Sequence, residues 1–143
     1  MKKIIITLLG IVFTSINTFA DTRAAVLLLH KGQGKTFETD QLQAAVNEAV
    51  NGDTICLSEG SFSVADGLTI DKKISIIGAG EISKIIGNVK VAIDDAPTLS
   101  SRLLDAVRIN GNLQIEKEVY GVSIRKTWLS GKLSSSAITK NSG

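Results

Sequence analysis

Residues 68–93 read LTIDKKISIIGAGEISKIIGNVKVAI, and the spacing within this stretch decides the fold. Apolar residues come in short pulses: Leu68 and Ile70, then Ile74, Ile76 and Ile77, then Ile85 and Ile86, then Val89, Val91 and Ile93. Turn-forming residues separate them, notably Gly78-Ala79-Gly80 and Gly87-Asn88. Alternation with a period of two marks each pulse as a strand with one buried face. The pulses are shorter than the ~5–6 residues of an ordinary sandwich strand. Ile70 and Val91 stand 21 residues apart.

The same spacing extends to both sides. Ile55 to Ile76 is again 21 residues, and Val91 to Leu113 is 22. A period of roughly 20–25 residues with no helix inside the repeat is the mark of a solenoid. Each coil then holds three short strands and three turns, and equivalent strands of successive coils stack in parallel. Upstream, Ile55 with Leu57 and Phe62 with Val64 open the series at about residue 53. Downstream, Val107 and Ile109, Leu113 and Ile115, then Val119, Val122 and Ile124 continue it, giving about four coils.

One segment breaks the pattern. Leu42, Ala45, Val46, Ala49 and Val50 form a single stripe at helical spacing. Asp40 with Gln43 fits an N-cap and its capping-box partner. Asn51-Gly52 supplies the stop. This predicts a helix over about 40–51, preceded by a strand over Ala25–His30 and a glycine-containing loop over 30–35. The first coil of a solenoid leaves strand edges and apolar side chains uncovered, and an amphipathic helix at that point is suited to cap them. The competing arrangement is an α+β domain with the helix packed on one sheet.

Two stretches carry a resemblance. TFETDQLQAAVNEAVNGDTICLSEGSFSV, residues 36–64, has a helix, a Gly-Asp-Thr-Ile step, a strand and a Gly-Xaa-Phe turn. LTIDKKISIIGAGEISKIIG, residues 68–87, continues into a second coil. Together they resemble the N-terminal portion of right-handed parallel β-helix proteins of the pectin-lyase-like superfamily. The resemblance runs from Val26 to Gly87 and is specific for fold. It implies an all-β, right-handed parallel β-helix with one N-terminal capping helix. That superfamily includes polysaccharide lyases, glycoside hydrolases, esterases, epimerases, phage tailspikes and non-catalytic surface proteins, so the fold does not name the activity. Its members commonly run longer, and Ser134–Gly143 shows no capping pattern. The expectation is therefore an N-terminal part truncated at its C-terminus, with self-association as the alternative cover for the bare last coil.

Residues 1–20 read as a signal peptide. Lys2 and Lys3 form its charged start, Ile4–Ile16 is mostly apolar, and Thr18 and Ala20 are small enough for cleavage before Asp21. The apolar run is shorter than the ~20 residues needed to span a bilayer. The expected location is extracytoplasmic: secreted, periplasmic or cell surface. Residues 21–143 then hold 14 basic and 14 acidic residues. Such a balance offers no electrostatic footprint for nucleic acid. Cys56 is the one cysteine, so no internal disulfide framework exists.

Candidates for chemistry are few. Asp94-Asp95 reads either as a Ca²⁺ or acid/base pair or as a solvated turn before Pro97, and the turn is favoured. Arg102, Arg108 and Arg125, with Lys126, fit a carboxylate-binding face or ordinary solvent-facing positions. His30 is the only histidine and reads as structural. Cys56 is an outward thiol or a small buried residue, not a nucleophile, because no base lies near it in sequence. HKGQGKT, residues 30–36, lacks the first glycine of a P-loop, since Leu29 stands there. Gly78-Ala-Gly80 lacks the third glycine of a dinucleotide fingerprint, since Ser83 stands there. Trp128 and Tyr120 read as sugar-stacking aromatics or as packing on the flank, with packing favoured.

The catalytic and metal residues are thus unknown at this level. No cofactor is evident, although the resemblance implies Ca²⁺ as an option in a full-length lyase. The expected function is the N-terminal part of an exported, polysaccharide-processing protein of lyase or hydrolase type without a complete active site. The alternative is a non-catalytic surface or adhesive solenoid that binds glycans or cell surfaces. Polysaccharide or cell-surface glycan is the expected partner in either case.

Overall fold

The computed structural model describes residues 24–93, 100–116 and 121–135. The expected signal peptide, Asp94-Asp95, Pro97, Val119, Tyr120 and residues 136–143 lie outside these described residues.

The chain opens with strands β1 (Val26–His30) and β2 (Gln33–Phe37), followed by helix α1 (Leu42–Glu48). Four triplets of strands follow. The first is β3 (Thr54–Leu57), β4 (Gly60–Ser63) and β5 (Leu68–Ile70). The second is β6 (Ser75–Ile77), β7 (Ser83–Ile86) and β8 (Val89–Val91). The third is β9 (Ser101–Asp105), β10 (Arg108–Asn110) and β11 (Leu113–Ile115). The fourth is β12 (Val122–Arg125), β13 (Trp128–Leu129) and β14 (Leu133–Ser135).

Equivalent strands stack into three sheets, ordered β12-β9-β6-β3-β1-β2, β13-β10-β7-β4 and β14-β11-β8-β5. All pairings between successive triplets are parallel, and only β1 joins its neighbours antiparallel. This is a β-solenoid of about three turns. Its core is a column of inward side chains: Ile55, Ile76 and Leu104 from the first sheet, Phe62, Ile85 and Ile109 from the second, and Leu68, Val89 and Leu113 from the third. Full burial of each is worth about 1.5–3 kcal/mol.

The 21-residue period lands where expected at the first step, pairing Ile55 with Ile76 and Ile70 with Val91. The next step does not follow it. Val91 pairs with Ile115, and Leu113 pairs with Val89. The sequence spacing of Val91 to Leu113 is therefore two residues short. A two-residue slip leaves every side chain on its own face, so hydrophobic alternation does not detect it. The first sheet shows the lengthening most plainly: Ile76 pairs with Leu104, 28 residues on. A bulge in β9 sets Arg102 and Leu104 against the consecutive residues Ser123 and Ile124. The intervening Leu103 is the extra residue, and both leucines are fully buried.

The N-terminal segment also differs from expectation. Residues 30–35 are not a loop but the turn and second strand of a hairpin, with Leu27 opposite Thr36 and His30 opposite Gln33. Lys31 and Gly32 both have positive φ, 49° and 81°. That is the mirror-image turn whose twist matches a two-residue hairpin. The helix is shorter than 40–51. Gln41, not Asp40, occupies its N-cap, with no side-chain capping bond, and Ala49 is already extended. Leu42, Ala45, Val46 and Ala49 are buried as the stripe predicts, but Val50 is 50% exposed because the helix has ended before it.

Gln43 is not a capping-box partner because its amide is used elsewhere. Its Nε2 donates to the Thr69 carbonyl at 3.1 Å, and its Oε1 accepts from the Thr69 N–H at 2.7 Å. These are the backbone groups of β5 on the edge that faces away from β8. One side chain thus supplies the pairing of a missing strand. Lys72 answers from the solenoid side, its Nζ donating to the Asn47 and Ala49 carbonyls at the end of α1.

Gly87-Asn88 and Gly111-Asn112 stack at the corner between the second and third sheets. The Asn112 N–H donates to Asn88 Oδ1 at 2.9 Å, and the Lys132 N–H donates to Asn112 Oδ1 at 2.8 Å. Gly111 has no room for a side chain, since a Cβ there would strike the Gly87 carbonyl oxygen.

Candidate functional site

A solenoid turns half of each strand outward, so its candidate sites are files of side chains that run across the strands. Neighbouring members of a file sit one strand spacing apart, ~4.8 Å.

On the first sheet, Thr54 pairs with Ser75 and Arg102 pairs with Ser123. The Arg102 N–H donates to Ser75 Oγ at 3.0 Å, which joins the two halves of this hydroxyl-rich file. Beside it runs a second file, Cys56, Ile77, Asp105 and Arg125. An open shelf of about 560 Å³ lies here, lined by Thr54, Ser75, Ser101, Arg102 and Ser123 among others. Arg102 Nη1 stands 3.6 Å from Oδ2 of the buried Asp105, so the cation on the shelf is balanced by a carboxylate behind it. Ser101 Oγ is buried with no hydrogen-bond partner, the single such side-chain atom among the described residues. The shelf suits a polar, hydroxyl-bearing ligand laid across the strands.

On the second sheet, Ser61, Lys84, Arg108 and Trp128 share one file. Arg108 Nη1 donates to Glu81 Oε1 at 2.7 Å, and its Nε donates to Asn110 Oδ1 at 3.0 Å. The third sheet and its corner carry a hollow of about 440 Å³ lined by Asp66, Thr69, Asn88, Lys90, Asn112 and Gln114. Much of its polar lining is already engaged: Thr69 with Gln43, Asn88 and Asn112 with the corner backbone, and Lys90 with Glu116 at 3.8 Å.

The three arginines do not make one face. Arg102 and Arg125 lie on the first sheet, while Arg108 is on the second. His30 Nδ1 meets Asp53 Oδ1 at 2.7 Å, and Asp53 Oδ2 accepts from the Val50 N–H at 2.9 Å. This pair ties the end of β1 to the start of the first coil, the structural role read for His30. Cys56 is outward and partly covered beside Leu27 of β1, and burial pushes its thiol pKa up from the ordinary value. Desolvation of this kind opposes the thiolate a nucleophile needs. The Gly34-Lys35-Thr36 run is strand β2, where Lys35 bonds Glu48 at 2.9 Å.

Trp128 is 41% exposed on the outer face and is not packed away on the flank. Sequence reading missed Lys84 altogether. Its signal appears only when coils are written beneath one another with steps of 24 and 20 residues, which bring Lys84, Arg108 and Trp128 into line.

Among the described residues, no three His, Cys, Asp or Glu side chains gather where they could hold a metal ion. No helix among them is long and apolar enough to cross a membrane. No protein-family model, curated protein or solved structure matches the chain.

Proposed function

We propose that the chain is the N-terminal part of an exported, right-handed parallel β-helix protein of the pectin-lyase-like kind that acts on polysaccharide. In this reading α1 and the β1–β2 hairpin cap the first coil, and residues 1–20 direct export. The described coils supply a binding surface, and the reacting groups of a lyase or hydrolase lie outside them. The observation that carries the reading is the first-sheet shelf. Its hydroxyls, Thr54, Ser75 and Ser123, lie on three of the four strands with the Arg102–Asp105 pair between them, which suits a polymer of polar units laid across the strands. The capping role draws on Gln43, which fills both backbone groups of Thr69, and on the burial of Leu42, Ala45 and Val46.

A second reading, a non-catalytic surface solenoid, draws on the pairing of Arg102 with Asp105 and of Arg108 with Glu81. Guanidinium and carboxylate groups in such pairs keep further donor and acceptor positions with which to hold a ligand.

The test uses the chain secreted from a bacterial host and a panel of neutral and acidic polysaccharides. Binding is followed by calorimetry, and turnover by new reducing ends and by absorbance of 4,5-unsaturated ends. The first reading expects binding by this chain and turnover only by a longer gene product. Turnover by neither form, with binding retained, selects the second reading. Failure of both forms to bind any polysaccharide overturns both.

A further inference from the structure

The second sheet carries an observation the shelf does not use. Its outward file runs Ser61, Lys84, Arg108, Trp128 on four successive strands. The residues that follow the last three, Ile85, Ile109 and Leu129, point into the core or pack on it, so the file itself faces solvent. Lys84 is exposed. Trp128 is the only tryptophan of the chain. A lone exposed apolar side chain is ordinary. An exposed indole that ends a file of two cations is a more specific arrangement.

Arg108 is already positioned. Glu81 and Asn110 hold its Nη1 and Nε, which engages two of its five N–H donors. A guanidinium fixed in this way loses little freedom on meeting a further anion. Lys126, at the bend two residues before Trp128, adds a third exposed cation at that end.

We infer that this file is a binding site for a linear anionic glycan, lying along the solenoid axis with one sugar stacked on Trp128 and its acidic groups on Arg108 and Lys84. Indole faces receive the C–H face of a sugar ring through the same apolar contact that buries aromatic surface elsewhere. Carboxylate or sulfate oxygens supply the charge-assisted hydrogen bonds that Arg108 and Lys84 donate. The strand spacing of ~4.8 Å sets the cations and the ring at regular intervals along the chain of sugars. Glycan is favoured over nucleic acid because the chain as a whole has 16 basic against 14 acidic residues. Phosphate-backbone binding draws on many more cations than this file provides. The site is independent of the first-sheet shelf, so either can fail alone.

The experiment reads Trp128 emission in the full chain at low salt. The probes are sulfated dextran oligomers, oligogalacturonate, uncharged dextran oligomers and single-stranded DNA. Both anionic glycans are expected to quench and blue-shift the emission, with uncharged dextran at least about tenfold weaker, ~1.4 kcal/mol. Lys84→Ala and Arg108→Ala are each expected to weaken binding about three- to tenfold. Glu81→Gln, which removes the competing carboxylate, is expected to tighten it. Trp128→Ala, followed by calorimetry with oligogalacturonate, is expected to lose the contribution that Lys84→Ala and Arg108→Ala weaken and to keep any binding at the first-sheet shelf. Thermal melts like that of the parent show that these surface variants still fold. The proposal is overturned by an emission unchanged with anionic glycan, by uncharged dextran binding equally well, by Lys84→Ala and Arg108→Ala binding like the parent, or by DNA binding more tightly than either glycan.

Discussion

The second coil and the fourth have almost the same kind of sequence and quite different surroundings. Ile76, Ile85 and Val89 of the second coil are essentially inaccessible. Ile124 and Leu133, their counterparts two coils on, are 38% and 53% exposed. Both coils pair in parallel with the third on all three sheets, with a bulge only where β12 meets β9. What separates them is the number of coils stacked against each: two for the second coil, and one described neighbour for the fourth. In a solenoid, burial is conferred by the neighbouring coil and not by the residue's own pattern.

The largest expected effect tests the buried side of that contrast. Ile85→Ala should cost about 3–4 kcal/mol in urea unfolding, within the ~2–5 kcal/mol span of such truncations, because the site cannot collapse its cavity. Phe62 and Ile109 on the adjacent strands, with which Ile85 shares its pairing and register, are themselves fully buried and held in place. A cost below about 1.5 kcal/mol would mean that the column relaxes freely, against the close packing of interiors.

Next comes the corner that links the coils. Gly111→Ala forces a methyl group onto the Gly87 carbonyl oxygen, at an expected cost of about 2–3 kcal/mol. Asn112→Ala removes the acceptor for the Lys132 N–H, at about 1 kcal/mol. The informative comparison is between the two melts. If Asn112→Ala proves the costlier, hydrogen bonding and not close approach sets the corner.

Cys56 sharpens the contrast from the first coil, which is covered by β1. Burial raises its thiol pKa, so the folded chain holds less thiolate at a given pH than the unfolded chain. Its alkylation by iodoacetamide should be several-fold slower at pH 8 than in denaturant. The rate should rise through a midpoint above that of a free thiol, ~8.5. Equal rates in the two states would show that β1 leaves Cys56 uncovered.

These contrasts also mark what the sequence makes legible. The solenoid was readable because Ile55 with Ile76 and Ile70 with Val91 repeat at one spacing. The slip from Leu113 to Ile115 was not, because alternation is blind to an even shift. Leu103 and Leu104 do not stand out in the sequence because a bulge breaks alternation where the strand stays buried. The β2 strand was hidden because Lys31 is an unusual first residue for a turn that requires positive φ. The spacing assigns Gln43 to its own helix because nothing local announces that β5, 26 residues away, needs its amide. The candidate sites were less legible still. Arg102, Arg108 and Arg125 look alike in sequence, and only the coil steps send Arg108 to a different sheet from the other two.

The smallest expected effect tests the exposed side. Leu133→Ala should cost less than about 1 kcal/mol, since a side chain with half its surface in water gives up only part of its transfer free energy. It also leaves no closed cavity, so the cavity contribution that makes Ile85→Ala expensive is absent. Leu133 pairs with the buried Leu113, whose own truncation should fall between the two extremes. The order Ile85, Leu113, Leu133 is therefore the prediction, measured in one buffer by one denaturant. If Leu133→Ala costs as much as Ile85→Ala, and the cost falls on dilution, the last coil is covered in solution by a second copy. If the cost is high at every dilution, the cover belongs to the same chain.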